Sequence, residues 1–173
     1  LTIEATGGNG MVVPGRGFLL NNELTDFSFA PTQGSAPDPN LPAPGKRPRS
    51  SMSPTIVLAD GRPFLAVGTP GGATIITTVL QMLVNRIDRG MTLPEALAAP
   101  RASQRNGAST QAEPAFVSAY GEGLPPGHVF APTAEIGAAT GIEFLPDGRV
   151  LAAAEPVRRG GGAAAVVGRW ARP

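Results

Sequence analysis

Two short motifs in this sequence have the residue types of a substrate-binding pocket. In "PRSSMS", Ser50 and Ser51 stand before an apolar, β-branched run, and each hydroxyl can donate and accept a hydrogen bond. In "VGTPGGAT", Gly71 and Gly72 stand before a helical pattern, where free N–H groups and the helix dipole bind anions. A phosphate-binding loop would require a lysine after the last glycine, but Ala73 and Thr74 stand there. The glycines therefore suit a carboxylate or the oxyanion of acyl transfer, or they form only a tight turn, just as the serines could form a turn at the start of a strand.

Acidic residues and a histidine are the other candidates. Asp26 lies among apolar residues in "LLNNELTDF", three positions after Glu23, and each acid is either a turn cap or the partner of a cationic ligand group. His128, in "LPPGHVF", has the surroundings of an exposed turn. The sequence has no cysteine and one histidine, which excludes thiol catalysis and disulfides and argues against a transition-metal site. No nucleophile of a familiar kind is evident.

Composition excludes several classes of protein. The 173 residues suffice for one domain with a core, and 14 basic and 13 acidic side chains give a net charge of +1. Such a chain has no electrostatic footprint for nucleic acid or an anionic membrane. Its apolar runs are too short to span a bilayer. The basic tracts "GKRPR" and "PVRRGG" are expected to line a solvated face. "LTIEATGG" begins inside a strand-like pattern, which suggests a chain cut from a longer precursor.

The elements that would position these residues are hairpins and a helix. Asp60-Gly61 and Asp147-Gly148 each join two apolar runs, as tight hairpin turns do, which indicates a largely antiparallel sheet. Between them a helix is predicted from Ala73 to Asp88, and Thr92 begins a second helix with Glu95 at capping-box spacing. The first helix has one predicted sheet-facing stripe, formed by Ile76, Val79, Leu80, Leu83, Val84 and Ile87. Helices packed on sheets indicate a layered α/β domain.

Four segments together resemble a known family. "GFLLNNELTDFS", "PGKRPRSSMSPTIVLADGRP", "GTPGGATIITTVLQMLVNRIDRGMTLPEALAAPR" and "PDGRVLAAAEPVRRGGGAAAV" resemble the small subunit of the γ-glutamyltransferase (γ-glutamyltranspeptidase) family. The resemblance covers nearly the whole chain and is strongest from Gly17 to Arg101. It implies an N-terminal nucleophile hydrolase with a four-layer αββα fold, of which residues 1–173 are a single domain forming most of the small subunit.

The resemblance also implies a self-cleaving precursor. The new terminal threonine of the small subunit would be the nucleophile, on the strand just before Leu1. The partner would be the large subunit, in a heterodimer or heterotetramer, and the location extracytoplasmic, either periplasmic or secreted. No metal or organic cofactor is expected, because a terminal amine can act as general base for its own hydroxyl.

Site residues follow from the same resemblance. Asp26 is assigned to the α-amino group of a γ-glutamyl substrate and Glu23 to the same end of the ligand. Ser50 and Ser51 are assigned to the α-carboxylate. The loop from Phe29 to Gly45 stands where some relatives carry a lid, but it contains no tyrosine to act as a gate.

The reacting end of the substrate is assigned to the glycines. The N–H groups of Gly71 and Gly72 match an oxyanion hole, and Gly72, next to the predicted helix, is expected to tolerate alanine. Thr2 falls where relatives often carry a substrate-contacting asparagine.

Three functions stay open on the sequence. The first is hydrolysis of γ-glutamyl amides, such as glutathione, and transfer of the γ-glutamyl group to water, amino acids or peptides. The second is a β-lactam or glutaryl acylase on the same scaffold, against which the acid at Asp26 argues. The third is a non-catalytic binding protein derived from the fold.

Overall fold

The computed structural model describes residues 7–123 and 127–168, and the chain divides into two compact units, residues 1–50 and 51–173. The single domain expected from the sequence stays a prediction. Thr2 lies outside the described residues. Among the described residues, no helix combines the length and the apolar composition that crossing a bilayer requires.

The first unit consists of short elements. A bridge pairs Val12 with Leu19, and a 3-10 turn spans Glu23–Asp26. The segment from Phe29 to Arg49, which includes the loop at the place of the lid, is mostly exposed. It contains a hairpin of two-residue strands, β1 (Thr32–Gln33) and β2 (Ala36–Pro37).

The second unit carries the main sheet. In chain order its elements are β3 (Thr55–Ala59), β4 (Arg62–Gly68), α1 (Ile75–Leu83), α2 (Leu93–Ala98), β5 (Ala102–Ser103), β6 (Thr110–Ala112), α3 (Pro114–Tyr120), β7 (Phe130–Pro132), β8 (Thr140–Phe144), β9 (Val150–Ala154) and β10 (Ala164–Val167). An antiparallel sheet has the order β10-β9-β8-β4-β3, and a smaller one the order β5-β6-β7. Both predicted hairpins, β3–β4 and β8–β9, are confirmed.

The first predicted helix is shorter than expected. A 3-10 turn over Gly72–Thr74 precedes α1, which begins at Ile75, and a π-helical turn over Val84–Asp88 follows it. The second helix is confirmed, because the Thr92 side chain accepts from the backbone of Glu95 and the Glu95 side chain accepts from the backbone of Thr92.

The single apolar stripe predicted for the first helix is wrong. Ile75, Val79 and Met82 of α1 pack into the core, and Leu83 is partly buried against it. The outward apolar residues, which continue into the π-helical turn, are Ile76, Leu80, Val84 and Ile87. Val79 is 4% exposed and packs into the core, whereas its neighbour Leu80 is 59% exposed, so the covered face of the helix does not extend to Leu80. The helix has two apolar faces, and the sheet covers only one.

The core of the second unit lies between the sheet and its helices. Leu65 and Val67 of β4 meet Val79 of α1 and Leu93 and Leu97 of α2, all of them buried. Strand residues alternate between the two faces of a sheet. The opposite face of the main sheet therefore carries the exposed side chains, Ile56, Leu58, Ile142 and Phe144 among them.

The expectation of a solvated "PVRRGG" tract is wrong for Arg158. Arg159 is exposed, but Arg158 is only 3% exposed. Its guanidinium is paired with two buried carboxylates. Glu113 is distant in sequence, and Glu155 precedes Arg158 by three residues. Paired in this way, a charged side chain can be buried.

Candidate active site

The loop between β4 and α1 holds both predicted glycines. Gly71 has a φ of +142° and Gly72 a φ of +54°, which L side chains rarely adopt. A Cβ on Gly71 would lie 2.7 Å from Thr74 Oγ1, whereas a Cβ on Gly72 would meet nothing within 4 Å. The expectation that Gly72 tolerates alanine is wrong, because the residue has left-handed backbone dihedrals and α1 begins only at Ile75.

Two threonine hydroxyls fix the peptide groups of this loop. Thr69 Oγ1 donates to the Pro70 carbonyl oxygen at 2.7 Å. Thr74 Oγ1 donates to the Gly71 carbonyl oxygen at 2.9 Å, and the Thr74 N–H reaches the same oxygen at 3.1 Å. In a trans peptide the C=O and the following N–H point in opposite directions. The N–H groups of Gly71 and Gly72 are therefore turned away from these hydroxyls.

Both of these N–H groups are available to a ligand. Within residues 7–123 and 127–168, neither Gly71 N nor Gly72 N donates a hydrogen bond to the protein. They precede α1, whose dipole adds partial positive charge at this end. Two fixed donors of this kind can stabilise an oxygen atom on which negative charge develops.

A second segment packs against the glycine loop. The Ala138 N–H donates to Thr69 Oγ1 at 3.1 Å. Gly137, with a φ of +69°, comes so close that a Cβ there would lie 2.7 Å from Thr69 Oγ1 and 3.2 Å from the Pro70 carbonyl oxygen. Residues 136–139 thus fix the position of the Thr69 hydroxyl.

A buried ionic cluster holds this segment. Its members, each at most 6% exposed, are Arg101, Glu113, Glu155 and Arg158. Arg101 Nη2 lies 2.7 Å from Glu155 Oε2, Arg158 Nη1 lies 3.0 Å from Glu155 Oε1, and the Arg158 guanidinium also binds both oxygens of Glu113.

The cluster contacts both ends of residues 136–139. Glu113 Oε1 accepts from the Ile136 N–H at 2.9 Å, and Arg101 Nη1 donates to the Ile136 carbonyl oxygen at 2.8 Å. Glu155 Oε2 accepts from the Ala139 N–H at 3.3 Å. The position of the glycine loop therefore depends, through residues 136–139, on these four charges.

Burial and pairing shift pKa values within the cluster in opposite directions. Burial raises the pKa of Glu113, but hydrogen bonds from Arg158, Ile136 N and Arg101 N outweigh it and hold the pKa below its ordinary value. Burial is the main cause that lowers the pKa of Arg101, and the nearby positive charge of Arg158 lowers it further. The negative charge of Glu155 offsets part of this decrease. The network keeps the Glu113 carboxylate ionised.

In the first unit, Asp26 ends the 3-10 turn and is half-buried, as is Glu23 at its start. Among the described residues, no hydrogen bond or ion pair reaches the Asp26 carboxylate, which argues against a turn cap. Its backbone carbonyl accepts from Asn40 Nδ2 at 2.7 Å. The carboxylate is therefore available to a ligand.

The predicted serine pair lies where the two units meet in sequence. Ser50 is exposed and is the last residue of the first unit, and Ser51 is half-buried and is the first residue of the second. Elsewhere, His128 is exposed, and the described part of the chain contains no group of three or more His, Cys, Asp or Glu residues that could hold a metal.

Sequence reasoning did not assign roles to the residues that orient the glycine loop. Thr69 and Thr74 flank the glycines in "GTPGGAT", so a local signal existed: a hydroxyl on either side of a turn can bond to its carbonyls. For Arg101 and Glu113 no local signal exists, because their charged partners, Glu155 and Arg158, are distant in sequence.

Comparison with known proteins gives consistent matches. A family model described as "Gamma-glutamyltranspeptidase" matches residues 1–166. The chain is 50% identical over 105 residues to the glutathione hydrolase proenzyme of Escherichia coli strain K12, a match that covers 58% of this chain. It is 36% identical over 155 residues, 88% of its length, to the acylase ACY 1 proenzyme of Pseudomonas sp. strain SE83.

A solved structure also matches. The structure of γ-glutamyltranspeptidase from Pseudomonas nitroreducens complexed with L-DON has a TM-score of 0.75 and 33% identity, covering 94% of this chain and 90% of that chain. The curated relatives are much longer: the match spans 18% of the E. coli proenzyme and 27% of the acylase proenzyme.

Proposed function

The chain belongs to the γ-glutamyltranspeptidase family, and on that basis we propose that it supplies part of the active site of an enzyme that cleaves γ-glutamyl amides. The observation that carries the proposal is the pair of oriented, available N–H groups at Gly71 and Gly72. Acyl transfer passes through a tetrahedral oxyanion, and such donors lower its energy.

The reaction would proceed by covalent catalysis. A threonine hydroxyl in the preceding part of the precursor adds to the γ-carbonyl carbon, and its proton passes to the terminal amine. The negative oxygen is stabilised by the two glycine N–H groups. The C–N bond then breaks, the amine leaves with that proton, and an acyl ester remains. Water or an amino group attacks the ester, which releases glutamate or a new γ-glutamyl amide and restores the threonine.

Recognition of the γ-glutamyl group is assigned to the other predicted residues. Asp26, half-buried and without a partner among the described residues, suits the α-ammonium group, with Glu23 at the same end. The hydroxyls of Ser50 and Ser51 suit the α-carboxylate, since each can donate a hydrogen bond. Binding both charged groups would orient the γ-carbonyl towards the nucleophile.

A second candidate is an acylase, because the ACY 1 proenzyme, named as an acylase, is 36% identical over 88% of this chain. A glutaryl substrate carries the same chain of carbons and the same terminal carboxylate but no α-amino group. The acid at Asp26 would then have no cation to bind.

Asp26→Asn in the complete enzyme distinguishes these candidates. Loss of a charge-assisted hydrogen bond to the α-ammonium costs about 1.5–3 kcal/mol, which corresponds to a decrease of roughly 10- to 150-fold in kcat/KM. We expect that decrease for γ-glutamyl-p-nitroanilide and little change for glutaryl-p-nitroanilide, measured by release of nitroaniline.

Asp60→Asn is the matched control for this experiment. Asp60 is exposed in the β3–β4 hairpin with a φ of +50°, which asparagine also adopts. This variant should cleave both substrates at the unaltered rate. Equal losses with both substrates in Asp26→Asn would exclude recognition of the amine by this carboxylate.

The partner we propose is the remainder of the precursor, as a large subunit. Two apolar surfaces of the second unit are open: the outward stripe of α1, with Leu80 59% exposed, and the free face of the main sheet, with Ile56 70% exposed. The sheet face includes an apolar depression of about 720 Å³, which Ile142 helps to line. Surfaces of this kind mark protein interfaces, and the proenzyme relatives have several times the matched length.

The isolated chain is therefore expected not to behave as a stable monomer. Produced alone, it should self-associate and bind a hydrophobic dye, because these surfaces remain in water. Produced together with the preceding part of the precursor, it should form a soluble complex with little dye binding. Sedimentation and thermal unfolding measure this, and cooperative unfolding of a monomeric isolated chain would contradict it.

A further inference from the structure

Asn40 is a buried polar side chain in a loop that is mostly exposed. Asn40 is only 8% exposed. Nδ2 donates to the Asp26 carbonyl oxygen at 2.7 Å and to Ser28 Oγ at 3.4 Å, while Oδ1 accepts from the Arg49 N–H at 2.8 Å. One side-chain amide thus connects two stretches of backbone that are distant in sequence.

The loop in turn fixes the position of Asn40. Its N–H donates to Asp38 Oδ1 at 2.8 Å, and its carbonyl oxygen accepts from the Ser28 N–H at 3.0 Å. Lys46 Nζ donates to two carbonyl oxygens of the same loop, those of Pro39 at 2.6 Å and Leu41 at 2.8 Å. The bonds on both sides of Asn40 leave its side chain little freedom to move.

The connected backbone atoms lie at the predicted recognition residues. One is the carbonyl of Asp26 itself, and the other is the N–H of Arg49, the residue before Ser50. The α-ammonium and α-carboxylate of an amino acid are attached to one carbon atom, so the groups that bind them must keep a fixed separation. Asn40 lies between the two backbone segments that carry those groups.

We propose that Asn40 is a positioning residue, which sets the separation between the ammonium-binding and carboxylate-binding groups and so favours substrates that carry both charges. This inference rests on the proposed function. Asparagine suits the task because it presents one donor and one acceptor on a rigid planar group. Aspartate keeps the acceptor for Arg49 N but loses the donor to Asp26 O.

Asn40→Asp in the complete enzyme tests the proposal. Removing a partner from the partly buried carbonyl of Asp26 should raise KM for γ-glutamyl-p-nitroanilide on the order of tenfold, while kcat stays within about twofold. The inhibition constant of L-glutamate should rise in parallel and that of glutarate should not, because only glutamate uses both groups. Asn9→Asp is the control, since Asn9 is exposed and its Oδ1 accepts from Met11 N, a bond that aspartate retains.

A double-mutant cycle with Asp26→Asn gives a readout that a purely structural role would not move. If Asn40 acts through Asp26, adding Asn40→Asp to Asp26→Asn should change KM by no more than about twofold, because the two residues belong to one network. Independent, multiplicative losses would overturn the proposal, as would an unchanged KM in Asn40→Asp or an equal rise in the inhibition constants of glutamate and glutarate.

Asp38→Ala covers the case in which Asn40→Asp does not assemble. Asp38 is half-buried, and its carboxylate accepts the hydrogen bond from the Asn40 N–H. Removing this carboxylate should also raise KM, by about threefold. An unchanged KM would then overturn the proposal. If the unaltered enzyme does not cleave γ-glutamyl-p-nitroanilide, the proposed function fails and this inference with it. Cleavage with an unchanged KM in the variants overturns this inference alone.

Discussion

Gly72→Ala in the complete enzyme is expected to lower kcat on the order of a hundredfold. An L residue at a φ of +54° is strained by about 1–2 kcal/mol, and the backbone relieves this strain by rotating, which tilts the N–H of the same residue. One oxyanion donor contributes about 2.7–4 kcal/mol to lowering the barrier. The melting temperature should fall as well, so kcat and melting are measured on one preparation and kcat is expressed per folded molecule.

Gly61→Ala separates strain from catalysis. Gly61 has a φ of +74°, a Cβ there would meet nothing within 4 Å, and the residue lies at the other end of β4 from the glycine loop. We expect a comparable loss of stability with normal turnover. Should Gly72→Ala also turn over normally per folded molecule, Gly72 would be a turn residue and not an oxyanion donor.

Arg158→Met is expected to be the most destabilising single substitution in the ionic cluster. It leaves Glu113 and Glu155 with one arginine between them, and breaking a buried ion pair costs about 3–5 kcal/mol. Arg159→Met, at the exposed neighbouring position, should change the free energy of unfolding by less than about 0.5 kcal/mol. Urea unfolding of the assembled protein measures both, and similar values for the two variants would contradict a role for the cluster.

The pH dependence of unfolding is a second way to compare the unaltered protein with Arg158→Met. Because the folded pKa of Glu113 lies below its ordinary value, the stabilisation it contributes is present above the unfolded pKa of about 4.3 and is lost as the pH falls through the folded pKa. The difference in stability between the unaltered protein and Arg158→Met should therefore narrow in acid.

Local features of the fold could be predicted from the sequence. The Asp-Gly turns between apolar runs predicted both hairpins, and the Thr92–Glu95 spacing predicted the cap of α2, because each depends on residues a few positions apart. The four motifs predicted the family, which the match over residues 1–166 confirms, and a mixed α/β chain similar to solved γ-glutamyltranspeptidase structures. The four-layer arrangement stays a prediction.

Features that depend on distant partners could not be predicted. A tract such as "PVRRGG" has the same hydropathy whether Arg158 is solvated or paired with Glu113, which lies 45 positions away. The two apolar faces of α1 give one broad pattern, and only the packing of Val79 onto the sheet shows which face is covered. For the site, residue types indicated the glycines, but the direction of their N–H groups depends on hydroxyl bonds.

The pairing of β4 with β8 has a consequence for the order in which the chain folds. The β3–β4 and β8–β9 hairpins join residues close in sequence, whereas Gly68 must find Thr140 across the whole stretch that contains α1, α2 and α3. Closing so long a loop costs entropy before any contact compensates for it, so this step is slow. The bond from the Ala138 N–H to Thr69 Oγ1, which helps to fix the glycine loop, spans the same long stretch and so depends on the same step. The geometry of the glycine loop is therefore one of the last features to be acquired, and an enzyme of this kind would become competent for chemistry late in its folding.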